Sequence, residues 1–103
     1  MTAETALAAL AEPRRRAILQ LVRDQPRSVN EIAAQLDVSQ QAVSQHLQVL
    51  KEAGLVAVRP QGQRRLYAVR AEGLASVRDF LEQFWPASLE SLKRAVEADS
   101  HGG

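Results

Sequence analysis

The sequence predicts a mainly α-helical chain of about five helices carrying one β-hairpin. Three observations predict it. Apolar residues recur at i, i+3, i+4 and i+7 in successive short segments. Caps and breakers (Pro13, Pro26, Ser28, Ser39, Gly54) fall between those segments. A single region, residues 55–69, holds two short β-like runs about a turn. At 103 residues the chain is one domain, with residues 1–98 as its body and 99–103 as a frayed tail.

Taken in order, residues 3–11 (AETALAALA) form a short helix with Leu7 and Leu10 spaced i, i+3. Pro13 suits the first turn of a second helix, "PRRRAILQLVRD", which carries Ile18, Leu21 and Val22 on one stripe and stops at Pro26. Ser28 with Glu31 three residues on reads as a capping box for a third helix, "VNEIAAQL". A tight link at Asp37 and Val38 leads to Ser39, the N-cap of a helix running to Ala53, with Gly54 just past its end. The runs "LVAVR" (55–59) and "RLYAV" (65–69) flank a turn at residues 60–63, giving a hairpin. Residues 71–98 return to helical spacing, interrupted at Pro86, which kinks the helix or starts another.

Composition excludes several classes. With no cysteine there is no disulfide and no thiolate metal site. No stretch is apolar enough to span a membrane, so a soluble cytoplasmic protein is expected. No nucleophile–base set, phosphate loop or metal constellation is visible, so an enzyme is not expected and no cofactor is assigned. Net charge is only +1, but it is unevenly spread. Residues 27–70 hold Arg27, Lys51, Arg59, Arg64, Arg65 and Arg70 against Glu31, Asp37 and Glu52, a net +3, while residues 71–103 carry −3. A basic middle beside an acidic tail points the middle toward a polyanion.

Two short helices joined by a tight link read as helix-turn-helix, and the hairpin after them as a wing. On a helical wheel, Gln40, Gln41, Ser44, Gln45, Gln48, Lys51 and Glu52 share one arc, opposite Ala42, Val43, His46, Leu47, Val49, Leu50 and Ala53. A merely solvated face would favour Glu and Lys. Amide and hydroxyl groups both donate and accept, so they match base edges in a major groove. Gln40, Gln41, Ser44 and Gln45 are the candidate base contacts, and Gln48 and Lys51 reach backbone. In the wing, Gly62 permits the turn and Arg64 and Arg65 reach phosphates or a minor groove. Double-stranded DNA is therefore the expected partner. The rival reading is a protein-interaction module without DNA binding, whose surface would carry more aromatic residues than this one.

Other residues read more plainly. His46 lies on the apolar arc and is expected to be hydrogen-bonded within the helix-turn-helix; His101 sits in the tail. Arg14, Arg15 and Arg16 begin the second helix on different faces, one for a partner subunit and the others for solvent. Phe80, Phe84 and Trp85 form an apolar stripe that favours packing or a dimer surface over a ligand pocket.

The segments "LAEPRRRAILQLV", "SVNEIAAQLDVSQQAVSQHLQVLKEAGLVAVRPQGQRRLYAV" and the "FW" helix together resemble the ArsR-type winged-helix transcriptional repressors of bacteria, over residues 5–96. The resemblance implies a five-helix winged domain, dimeric through its first and last helices, that represses by binding an inverted-repeat operator. Carried onto this sequence, it makes Ser39, Gln40, Gln41, Ser44 and Gln45 the recognition-helix contacts and Gly62, Arg64 and Arg65 the wing, with the dimer interface at Leu7, Leu10, Leu81, Phe84, Trp85, Leu89 and Leu92. Metal-sensing members use Cys in the helix before recognition, or Asp, His and Glu on the last helix. Here "SVNEIAAQL" has neither Cys nor His, and residues 74–99 hold no His, so the resemblance is to the metal-independent branch and no metal site is assigned. An inducer, whether small molecule or protein, is left open, and Pro86 departs from the family pattern.

Overall fold

The computed structural model describes residues 2–85 and 94–98. The elements run α1 (Ala3–Leu10), α2 (Pro13–Asp24), α3 (Val29–Leu36), α4 (Gln40–Glu52), β1 (Val56–Gln61), β2 (Arg64–Val69) and α5 (Ala71–Glu82). Residues 94–98 are helical too. The order of helices and hairpin is the one the periodicity predicts.

Helices α1 to α4 start where a side chain can satisfy their first N–H groups, whereas α5 follows Arg70 with no side-chain cap bond. The backbone N–H of Thr5 donates to Thr2 Oγ1 (3.2 Å), and that of Arg15 to Glu12 Oε2 (3.0 Å). The Ser28 box is complete: Ser28 Oγ accepts from the Glu31 N–H at 3.2 Å, and Glu31 Oε1 accepts from the Ser28 N–H at 2.9 Å. Ser39 Oγ accepts from the Ala42 N–H at 3.1 Å.

The helix ends explain how α3 turns so sharply into α4. Asp37 adopts φ 54°, the left-handed conformation more often given to glycine or asparagine, and the Val38 N–H donates back to Ala33 O. Gly54 does the same after α4 with φ 78°, its N–H on Lys51 O and the Leu55 N–H on Leu50 O. Three arginines complete other ends. Arg15 Nε donates to Ala9 O (2.6 Å) and Arg16 Nη1 to Leu10 O (2.8 Å), closing α1, while Arg27 Nε donates to Leu21 O in α2 (2.9 Å). Arg16 is exposed, as expected of a solvent charge, and Arg15 is half-buried; both also bond the carbonyls at the end of α1.

The core is built from one stripe of each helix. Ile18 and Val22 of α2, Ile32 of α3, and Val43, Leu47 and Leu50 of α4 meet Leu55 and Val56 at the root of the hairpin. Fully burying one such side chain stabilises the fold by about 1.5–3 kcal/mol. Ala6, Ala9 and Val77 extend this core to α1 and α5. Leu7 and Leu10 pack half-buried against its edge.

The hairpin differs from expectation in its turn. Pro60 and Gln61 belong to β1 and Arg64 to β2, so only Gly62 and Gln63 connect them. Gly62 takes φ 63° at the first loop position, which suits the right-handed twist of the strands. Pro60 is tolerated because a two-stranded ribbon leaves outer edges without ladder bonds. Tyr67 of β2 exchanges both backbone bonds with Arg27 (3.0 and 2.8 Å), so the ribbon's root is tied to the segment entering α3.

The regular helix predicted from residue 71 also ends earlier than its apolar spacing suggests. After Glu82 the N–H groups of Gln83, Phe84 and Trp85 bond three residues back, to Phe80, Leu81 and Glu82. A residue preceding proline is disfavoured in the α region, and the chain tightens as it nears Pro86. Pro86, Leu89, Leu92 and the expected tail at 99–103 lie outside the described residues. Among the described residues no helix is long and apolar enough to cross a membrane.

Candidate nucleic-acid interface

Helix α4 is two-sided, as its pattern requires. Gln40, Gln41, Ser44, Gln45, Gln48 and Lys51 are all exposed, while Val43, Leu47 and Leu50 are completely buried. The buried stripe is narrower than the wheel suggests. Val49 is 38% exposed, and Ala42 and His46 are half-buried. The reason is geometric: α1, α2, α3 and β1 support α4 from within, and the described residues leave these three positions only partly covered. No hydrogen bond to the His46 ring is found among the described residues, contrary to expectation.

The polar face is graded along its length. Ser39 keeps its oxygen in the cap, while the side chains of Gln40, Gln41, Ser44 and Gln45 make no hydrogen bonds among the described residues and face solvent. Farther along, Gln48 Nε2 donates to Glu52 Oε1 at 3.0 Å. The uncommitted amides and hydroxyl thus cluster in the first two turns, where a helix end can enter a groove. The exposed N-terminus of α4 adds its positive dipole end for a phosphate.

The wing stands beside this face. Gly62, Arg64 and Arg65 are exposed at its tip. Arg65 has no ion pair among the described residues and remains available to an anion. Arg64 is committed: its Nη2 donates to Glu31 Oε1 at 2.6 Å. Glu31 was expected only as a cap residue. Its second partner lies thirty-three residues away in sequence, and no local pattern marks it. Hydrogen bonds from the Ser28 N–H and then its hydroxyl, with the nearby Arg64 and Arg27 charges, hold the Glu31 carboxyl below its ordinary value. It is therefore a firm anion at neutral pH.

Between α3, α4 and the ribbon lies an open cleft of about 470 Å³. Ser28, Asn30, Ser44, Gln63, Arg64 and Arg65 are among the residues that line it. The fold therefore brings together three groups far apart in sequence: the start of α3, the polar face of α4, and the basic tip of the wing. Donors and positive charge dominate this surface, an arrangement suited to a sugar–phosphate strand with base edges alongside. Among the described residues no group of three or more His, Cys, Asp or Glu side chains is placed to hold a metal ion.

In and beyond the end of α5, Leu81 (46% exposed), Phe84 (61%), Trp85 (46%) and Val96 (57%) present apolar surface to solvent. Phe80 and Phe84 meet edge to face with ring centroids 5.2 Å apart.

Comparison with known proteins agrees with this geometry. Residues 10–59 match a family model described as a helix-turn-helix domain. The HTH-type transcriptional regulator Rv2034 of Mycobacterium tuberculosis is 44% identical over 91 residues, covering 88% of this chain and 85% of that protein. A crystal structure described as a possible transcriptional regulator for arsenical resistance is 41% identical, with a TM-score of 0.72, covering 87% of this chain and 94% of the other. The homodimeric winged helix-turn-helix DNA-binding domain of Mb0332 from Mycobacterium bovis, described as a possible ArsR-family regulator, is 32% identical. Its TM-score is 0.66, with 79% of this chain and 75% of that one covered. With its fold, its exposed polar α4 face and these relatives, the chain belongs to the ArsR-type family of winged helix-turn-helix transcriptional regulators.

Proposed function

We propose that the chain represses transcription by binding an inverted-repeat operator as a homodimer. The observation that carries this reading is the exposed, uncommitted Gln and Ser face of α4 beside a basic wing. Each subunit sets the first turns of α4 into a major groove, with Gln40, Gln41, Ser44 and Gln45 on base edges. Ser39, Gln48, Lys51, Gly62, Arg64 and Arg65 follow the backbone. Two half-sites about 34 Å apart match a two-fold dimer.

The dimer forms through the apolar surface of Leu81, Phe84 and Trp85, and the interface assigned to it also includes Leu7 and Leu10 and, outside the described residues, Leu89 and Leu92. Large exposed apolar groups on a domain this small support that assignment. Signal reception is metal-independent in this reading, because the chain lacks cysteine and α3 lacks histidine. The inducer is then an organic ligand or a protein, and the site of action is the cytoplasm.

Fluorescence anisotropy on labelled duplexes over a range of salt tests the division of roles. Gln41→Ala and Ser44→Ala are expected to narrow the gap between operator and unrelated sequence, each by about 1–3 kcal/mol. Arg65→Ala is expected to weaken both duplexes alike and to lower the salt slope by about one. Equal loss of sequence preference from all three variants would contradict this assignment. Absence of salt-dependent binding altogether would favour the protein-interaction module.

A further inference from the structure

The ion pair between α3 and the wing bears on how the interface is held. One carboxylate oxygen, Glu31 Oε1, accepts both the Ser28 N–H at the start of α3 and Arg64 Nη2 from the start of β2. The first bond makes Glu31 part of a rigid helix end. The second fastens the ribbon to that end, beyond the Arg27–Tyr67 pairing that holds its root. The two tethers bracket the cleft that Ser28, Asn30, Ser44 and Arg65 line.

Arg64 is well suited to such a double attachment. Its guanidinium carries five N–H donors in a fixed fork, and the bond to Glu31 uses one. Its side chain is still 57% exposed and lines the cleft, so donors not used by Glu31 remain accessible there. An isolated exposed pair of this kind contributes little to stability. Its consequence is orientation.

Resting on the proposed DNA-binding reading, we infer that Glu31 is a positioning residue of the interface, holding Arg64 so that its free N–H groups meet a backbone phosphate seated in the cleft. The carboxylate stands behind the guanidinium and the phosphate in front of it. Without the carboxylate, the arginine and the ribbon tip must be ordered at the moment of binding, at a cost in affinity.

The test is a double-mutant cycle on Glu31→Gln and Arg64→Ala, read as duplex affinity and salt slope on the enriched operator and on an unrelated duplex. Glutamine is also accepted at this position of a capping box, and thermal melting checks that the variant is folded. Glu31→Gln is expected to weaken both duplexes roughly three- to tenfold, in the lower part of the range for directly coupled groups. It should flatten the salt slope toward that of Arg64→Ala and add nothing to that variant. Arg64→Lys supplies a second reading: it keeps the charge but loses the fork, and is expected to bind nearly as weakly as Arg64→Ala.

Tighter binding by Glu31→Gln would overturn the inference, because the carboxylate would then be competing with phosphate for Arg64. Additive effects of the two substitutions, or wild-type affinity in Glu31→Gln or Arg64→Lys, would overturn it as well. In those cases the wild-type chain still binds duplex, and the proposed function stands. A wild-type chain that binds neither duplex at low salt removes both.

Discussion

Gly73→Ala is the most informative single change to the scaffold. Gly73 lies in the first turn of α5, where its N–H bonds to Arg70 O at 3.1 Å. A Cβ there would stand 2.8 Å from the carbonyl carbon of Gly54 and 3.3 Å from Leu55 Cα, and closer still to Gly54 O. All of these are backbone atoms, so no side-chain rotation relieves the contact. Gly54 cannot yield easily either: its φ of 78° ends α4, and the Arg70 N–H holds the next carbonyl, Leu55 O, at 2.9 Å. Helix α5 must therefore move outward on the order of an ångström to restore normal contact distances. Overpacking of this kind costs about 1–3 kcal/mol, and a rigid backbone clash belongs at the top of that range. Alanine returns about 1 kcal/mol through helix propensity. The net is about 2 kcal/mol of destabilisation, or a fall in Tm of roughly 10 °C for a domain of this size. Circular dichroism melting reads it directly. Gly62→Ala is the control, because Gly62 has nothing within 4 Å of its added Cβ and is strained only by its φ of 63°. A Gly73→Ala protein that melts at or above the wild-type temperature would refute the packing described for α5.

Two further outcomes follow from the same coordinates. Phe84→Glu, on a side chain 61% exposed, is expected to leave the monomer fold intact and shift the chain from dimer to monomer in sedimentation, with operator binding lost at the same concentrations. The Glu31 carboxyl is held below its ordinary value of 4.5 chiefly by the Ser28 N–H, so its contribution to stability is complete above that value. It is lost as pH falls through the lowered folded value. Urea midpoints of wild type and Glu31→Gln should therefore differ at neutral pH and converge once the pH has fallen through that lowered value; a gap that persists in stronger acid would contradict this origin.

Much of this architecture is legible in the sequence because it is local. Ser28 and Glu31 declare a capping box, Ser39 an N-cap and Gly54 a helix end, and each appears where the residues require. The α4 face is legible for the same reason: Gln40, Gln41, Ser44 and Gln45 share one side by periodicity alone. What the sequence hides is long-range or borrowed. Asp37 takes a left-handed conformation that its residue type permits but does not announce. Arg15 and Arg16 look like solvent charges until the open end of α1 is placed beside them. Val49 falls on the apolar arc of the wheel, yet the described residues leave it 38% exposed. Gly73 carries no local signal at all, since its need for a missing Cβ comes from the turn after α4. The Glu31–Arg64 pair joins two segments whose proximity depends on the whole fold.

The central claim is that the chain reads DNA sequence as a dimer, through α4 and the wing. Selection of random duplex DNA on the purified protein, with the protein's mass measured in solution, tests it most directly. The account predicts a dimer that enriches an inverted repeat with half-sites one helical turn apart. A dimer that enriches no sequence, even at low salt, would contradict it and leave the polar face of α4 to a protein partner.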